Sequence, residues 1–451
     1  MIVTDLVNLA KKSVKIFNEH VIKENLEPPM RAYIREFPTK FELTESGHSC
    51  GFSGEIVHKP DWSMIIFNFI DKIKKKPAFA QLAQSIAARY KKNIQDLAEG
   101  CNELAQVTFW LERFIQKIIY NNLDKELSEN QIIEYAVLFN SDLELNPSEY
   151  NYTFYLNGIF LECESVKIND NVIIRKPQKE DFEYTRDIFF DIPRHHHIRI
   201  PSSILEMNMI AKDNKECRAY ANRILNALRL YKLGSIYPIN QIETRKSIIW
   251  GGSQISWNGN YTSIKNYTVN ETELKDFIDI VIEIEQKLNF NKKEKKNWGL
   301  LISLERYNSA LLESLDIDRK VMTTIMGLES LFSLEKDRGE NAYKLGVRVA
   351  KLLGFMRPDI EEVRTLIESG YKFRNDVVHG MYIKQNQREK MEKNLLKLLD
   401  YLRMSLIFFL INQQQGKNKL VDIIDKSLIS DNYGEQLKRL FQNGIIICPN
   451  M

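Results

Sequence analysis

The sequence predicts a mainly α-helical protein with an α+β middle region and a C-terminal antiparallel helical bundle. Three observations point there. Apolar residues recur at helical spacing before residue 145 and again after residue 270, period-2 alternation is confined to the stretch between, and glycines stand where late helices should stop. At about 150 residues per domain, a chain of 451 suggests two or three domains. The texture places their boundaries at 1–145, 146–269 and 270–451.

The first region opens on an amphipathic run through Ile2, Leu6, Leu9, Val14 and Ile16. Residues 80–121 lack proline and carry Leu97, Leu104, Leu111, Ile115 and Ile118 at helical spacing, with Gly100 as a weak point. Gly47, Gly51 and Gly54 crowd what reads as one loop. In the middle region Tyr150, Tyr152, Phe154 and Leu156 alternate with other residues. Val166 to Ile174 carries the turn Asn169-Asp170-Asn171, and Arg194 to Ile200 reads as a further strand. Residues 216–233 return to helix, and Trp250-Gly251-Gly252 and Trp257-Asn258-Gly259 mark loops or hairpin corners. The last region holds helical segments at 298–315, 319–334, 341–354, 360–379, about 387–411 and about 433–442. Gly339, Gly354 and Gly380 stand at C-terminal stop positions.

Composition narrows the function. Sixty-three Lys plus Arg against 60 Asp plus Glu leave +3, so a nucleic-acid site must be a local patch. Five scattered cysteines without a C-x-x-C pair argue against a disulfide framework or a zinc knuckle. No apolar run approaches the roughly 20 residues that span a bilayer, and the N-terminus has charges too early for a signal peptide. The expectation is a cytoplasmic protein with no membrane partner. No Walker loop, H-E-x-x-H, G-x-S-x-G or dinucleotide fingerprint is present, and no cofactor is expected.

The most specific local signal is Tyr371-Lys372-Phe373-Arg374-Asn375-Asp376-Val377-Val378-His379-Gly380. On a helix over 360–379, Asn375 and His379 are i,i+4 neighbours, and Arg374 lies about 140° from His379 around the axis. Gly380 suits the helix stop, which puts His379 in the last turn, where the helix dipole favours an imidazolium. A histidine that moves protons beside a guanidinium that holds a phosphate oxygen suits phosphodiester chemistry. The same residues also read as a C-capping histidine and a surface arginine.

R-N-D-V-V-H-G resembles the R-x4-6-H motif of the HEPN superfamily. The likeness extends through Glu305-Arg306-Tyr307, through Arg319 to Leu334 (RKVMTTIMGLESLFSL), and through Tyr343 to Gly354 (YKLGVRVAKLLG). This ordered set of helices is similar to the Apea-like HEPN branch and covers residues 270–451. The resemblance implies a helical bundle that homodimerises and brings two motifs to one cleft. It also implies a metal-independent endoribonuclease in which the RNA 2′-OH attacks its own phosphate. The products are then a 2′,3′-cyclic phosphate and a 5′-OH. By position, His379 would be general acid or base, Arg374 would orient and stabilise the phosphorane, and Asn375 would be a secondary hydrogen-bonding group. Family members often serve in anti-phage defence, so residues 1–269 would recognise substrate or sense a phage-derived activator, with RNA such as tRNA as target. Other members only bind RNA or protein, and a non-catalytic scaffold is the alternative reading.

Two further features bear on RNA. Lys344, Arg348 and Lys351 sit at i, i+4 and i+7, a basic stripe that either contacts phosphates or is a solvated helix face. Glu329 shares a stripe with Met322 and Met326, and a carboxylate buried there needs a partner, Arg374 or Arg348; otherwise it is simply exposed. His195-His196-His197 puts two imidazoles on one face of a strand, with Arg194 and Arg199 alongside. That cluster reads as surface structure, an anion or RNA contact, or part of a metal site that lacks a third ligand.

Overall fold

The computed structural model describes residues 2–44, 47–97, 100–182, 184–187, 201–249, 252–257, 261, 263–290, 294, 297–356 and 359–445. The helical N-terminal unit comprises α1 (Ile2–Lys23), α2 (Ser63–Lys74), α3 (Pro77–Arg89), α4 (Lys91–Leu97), α5 (Glu103–Asp124) and α6 (Glu129–Leu143). Local chemistry sets several of these ends. Pro77 takes the first turn of α3, where its missing N–H costs nothing. Ser128 and Gln131 form a reciprocal capping box on α6. Gly100, at φ +80°, lies between α4 and α5, so the run over 80–121 is several helices rather than one.

The unit also departs from its helical expectation. Strands β1 (Met30–Thr44) and β2 (Gly47–Pro60) form a long antiparallel hairpin, joined at one edge by β7 (Tyr184–Asp187). Gly47, Gly51 and Gly54 are therefore strand residues, paired with Thr44, Lys40 and Glu36. Glycine signals a turn only where the chain turns. In β2 each of these glycines has a partner across the ladder, and that pairing is non-local.

The middle region is built on a six-stranded sheet of order β10-β9-β3-β8-β6-β5, with every neighbouring pair antiparallel. The strands are β3 (Ser148–Asn157), β5 (Ser165–Asn169), β6 (Val172–Arg175), β8 (Ser203–Ala211), β9 (Tyr237–Arg245) and β10 (Gly252–Trp257). A parallel pair, β4 (Ile159–Leu161) with β11 (Tyr267–Val269), lies apart from it. Tyr150, Tyr152, Phe154 and Leu156 are all buried, as their period-2 spacing requires. Their face packs with α7 (Asn214–Tyr231) in one core. Arg194 to Ile200, including His195, His196 and His197, lies outside the described residues.

The C-terminal helices are α8 (Leu274–Leu288), α9 (Trp298–Leu312), α10 (Ile317–Phe332), α11 (Asn341–Leu353), α12 (Ile360–Val378), α13 (Gln385–Ile411), α14 (Lys417–Lys426) and α15 (Asp431–Ile445). Their apolar core is continuous with that of the sheet. The end of α7 shows how the two are joined. A helix leaves its last four carbonyls unpaired, and here side chains from distant segments take them. Tyr267 Oη donates to Leu228, Tyr307 Oη to Arg229, and Arg403 Nη1 to both Leu230 and Tyr231.

The N-terminal helices have a core of their own, into which the sheet unit inserts Ile248 and Ile249. Asp142, buried at the end of α6, fastens that insertion. Its Oδ2 accepts from Ser247 Oγ at 2.7 Å, Ile248 N at 2.8 Å and Ile249 N at 3.0 Å. Burial pushes the Asp142 carboxyl above its ordinary range, and these hydrogen bonds pull it back. Asp142→Ala leaves two buried N–H groups unpaired and is expected to cost about 2–4 kcal/mol in denaturant unfolding. A loss below about 1 kcal/mol would show that Ile248 and Ile249 hold the seam alone.

Candidate active site

The R-x4-H segment ends α12, and its backbone explains how His379 is presented. Gly380 adopts φ +65°, a left-handed conformation that costs glycine little. Gly380 N donates to the Val377 carbonyl at 3.1 Å and Met381 N to the Asp376 carbonyl at 2.8 Å. This pair of bonds is the Schellman stop. His379 is the C-cap residue, its N–H bonded to the Asn375 carbonyl at 3.0 Å, and its side chain is exposed. Val378, Met381 and Tyr382 beside it are exposed as well, Tyr382 at 88%.

Arg374 is set by packing of α12 on α10. Gly370 lets the two helices approach: a Cβ there would lie 2.8 Å from Ile325 Cδ1. One turn on, the Arg374 guanidinium meets α10 at Glu329, with Nη2 at 3.2 Å from Oε2. Nη1 donates to Asn375 Oδ1 at 2.8 Å, and the guanidinium stands 5.7 Å from the Tyr371 ring centroid. Nε is buried and has no hydrogen-bond partner. Burial raises the Tyr371 hydroxyl above its usual range, and the nearby Glu329 charge pushes it the same way. Burial raises the Glu329 carboxyl above its usual range, against the opposing pull of Arg374 and Tyr371.

The structure thus brings Arg374, Asn375 and Glu329 together, and of the two partners open to Glu329 it takes Arg374. His379 stands five residues on, about 7.5 Å along the axis. Sequence reasoning missed Tyr371, although it lies in the quoted motif. The signal was its i−3 position relative to Arg374, which puts its ring on the same helix face.

The basic stripe does not survive as three surface charges. Arg348 is buried, and all five of its N–H bonds are used. Asp337 takes Nη1 at 2.6 Å and Nη2 at 3.1 Å, Asp425 takes Nε at 2.7 Å and Nη2 at 2.8 Å, and the Phe332 carbonyl takes Nη1 at 2.9 Å. It clamps α14 and the segment after α10 onto α11 and is not available to a phosphate. The i,i+4,i+7 pattern could not show this because both carboxylates come from elsewhere in the chain. Lys344 and Lys351 are half-buried, and Lys344 Nζ lies 3.4 Å from the Arg338 carbonyl.

Among the described residues no group of three or more His, Cys, Asp or Glu side chains is placed to hold a metal ion, and no helix is long and apolar enough to cross a membrane. No family model, curated protein or solved structure matches the chain.

Proposed function

We propose that the chain is a metal-independent endoribonuclease of the HEPN type, with Arg374 and His379 as its catalytic pair. One observation carries the reading. A guanidinium held by Asn375, Glu329 and Tyr371, with its buried Nε unpartnered, lies five residues along the helix from an exposed imidazole at a capped helix end. In this chemistry the RNA 2′-OH loses its proton and attacks the adjacent phosphorus, and the 5′-oxygen leaves with a proton. A 2′,3′-cyclic phosphate and a 5′-OH result. Arg374 neutralises the oxyanion that builds on phosphorus, and His379 moves one of the two protons.

Each chain supplies one such imidazole, so a homodimer with two motifs at a shared cleft completes the proton inventory. The exposed Val378, Met381 and Tyr382 around His379 support an apolar contact there. Lys344 and Lys351 remain as phosphate contacts. The N-terminal unit, with its separate core, suits a recognition module that senses a phage-derived activator in anti-phage defence. RNA is the substrate class, with structured RNA such as tRNA as the target.

The Arg374–Glu329 ion pair between α10 and α12 is the observation that favours a non-catalytic RNA- or protein-binding scaffold, in which Arg374 only ties helices together. Total cellular RNA incubated with wild type and Arg374→Ala in excess EDTA separates the two. Cutting by wild type that falls at least about 100-fold in a folded Arg374→Ala supports the enzyme. Equal cutting by both removes Arg374 from the chemistry, and no cutting by either with activator present supports the scaffold.

A further inference from the structure

We propose that Glu329 is an internal rival to the substrate phosphate, holding Arg374 in a resting pair that RNA must displace. The inference rests on the ribonuclease reading above and adds regulation of the same site. Three observations on the Arg374 side chain lead to it. Its donors are incompletely used: Nη1 is bonded to Asn375 and Nη2 is paired with Glu329, while Nε is buried without a partner. The Arg374 and Glu329 side chains are 23% and 21% exposed, so an incoming anion can reach the pair. The Glu329 carboxylate also meets the edge of the guanidinium that a phosphate would take. Arginine binds phosphate through two parallel N–H bonds, and the Nη2–Nε edge is the one not held by Asn375.

The neighbours of the pair fit a displaceable anion. The Tyr371 ring, 5.7 Å from the guanidinium, stays beside Arg374 when it turns to a phosphate. Asn375 keeps the guanidinium in place through the exchange. The exchange still carries a cost, because a half-buried carboxylate loses its counter-charge. That cost sets a threshold: weak encounters with stray phosphates fail, and an RNA held by further contacts succeeds.

A role confined to positioning Arg374 makes the opposite prediction, since loss of the Glu329 charge would then weaken RNA binding. The test is fluorescence anisotropy with a labelled 2′-O-methyl oligoribonucleotide, which cannot be cut by 2′-OH attack. Wild type, Glu329→Gln and Arg374→Ala are compared, with thermal unfolding alongside. Glu329→Gln is expected to bind about tenfold more tightly than wild type, and Arg374→Ala to lose binding. Glu329→Met, of similar volume and without charge, carries the same expectation should the amide fail to fold. Binding that is unchanged or weaker in the folded Glu329 variants overturns the rivalry and leaves the ribonuclease reading standing. Absence of binding by wild type and Glu329 variants alike overturns both.

Discussion

His379→Ala is expected to abolish RNA cleavage, by about 10²–10⁴-fold, the range by which a positioned proton-transfer group accelerates a reaction. Stability should hardly move. The His379 side chain is exposed and only its backbone N–H is bonded within the helix end, so the substitution falls among surface changes within about 0.5 kcal/mol. The Gly380 stop is made by backbone groups and stays intact. Initial rates on end-labelled RNA, with circular dichroism melting of the same preparations, check both halves. A folded His379→Ala that retains wild-type rates removes the imidazole from the mechanism.

Arg348→Ala is expected to have the largest effect on the fold, about 3–5 kcal/mol, because it strips the counter-charge from two carboxylates at once. Asp337 and Asp425 are bound to Arg348 through four of its five hydrogen bonds, and the Arg348 side chain is 6% exposed. The pH dependence follows from the same contact. Arg348 lowers the Asp337 carboxyl from its ordinary value to about 2. A carboxyl depressed on folding stabilises the native state above its unfolded pKa, and that stability is lost as pH falls through the native value. Wild type therefore keeps this contribution at neutral pH and loses it between about pH 4 and pH 2. Arg348→Ala should melt lower at neutral pH and show a shallower loss across the acid range. A melting temperature unchanged at neutral pH contradicts the clamp.

What the sequence showed and what it hid divide along local and non-local physics. Helical spacing placed α9 to α13 because the period is written in neighbouring residues. Gly354 and Gly380 stand at the ends of α11 and α12, whereas α10 already stops at Phe332 and Gly339 instead precedes the N-cap of α11. Alternation found β3, and the Asn169-Asp170-Asn171 turn found the β5–β6 hairpin. The β1–β2 hairpin was hidden because glycines are ambiguous until a partner strand is known. Arg348 looked like a surface cation because Asp337 and Asp425 lie 11 and 77 residues away. Glu329 was legible as a carboxylate in need of a partner, and the structure selects Arg374. The Asp142 seam was not legible at all, since Ser247, Ile248 and Ile249 carry no sequence signal for it.

The most direct test of the central claim is the chemistry of the RNA ends. Wild type and folded His379→Ala would be incubated with total cellular RNA in excess EDTA, with activator present, and the fragment termini mapped. Arg374–His379 catalysis predicts 2′,3′-cyclic phosphate and 5′-OH ends from wild type and none from the variant. Fragments with 3′-OH and 5′-phosphate ends, or cyclic-phosphate ends that persist in His379→Ala, would contradict it.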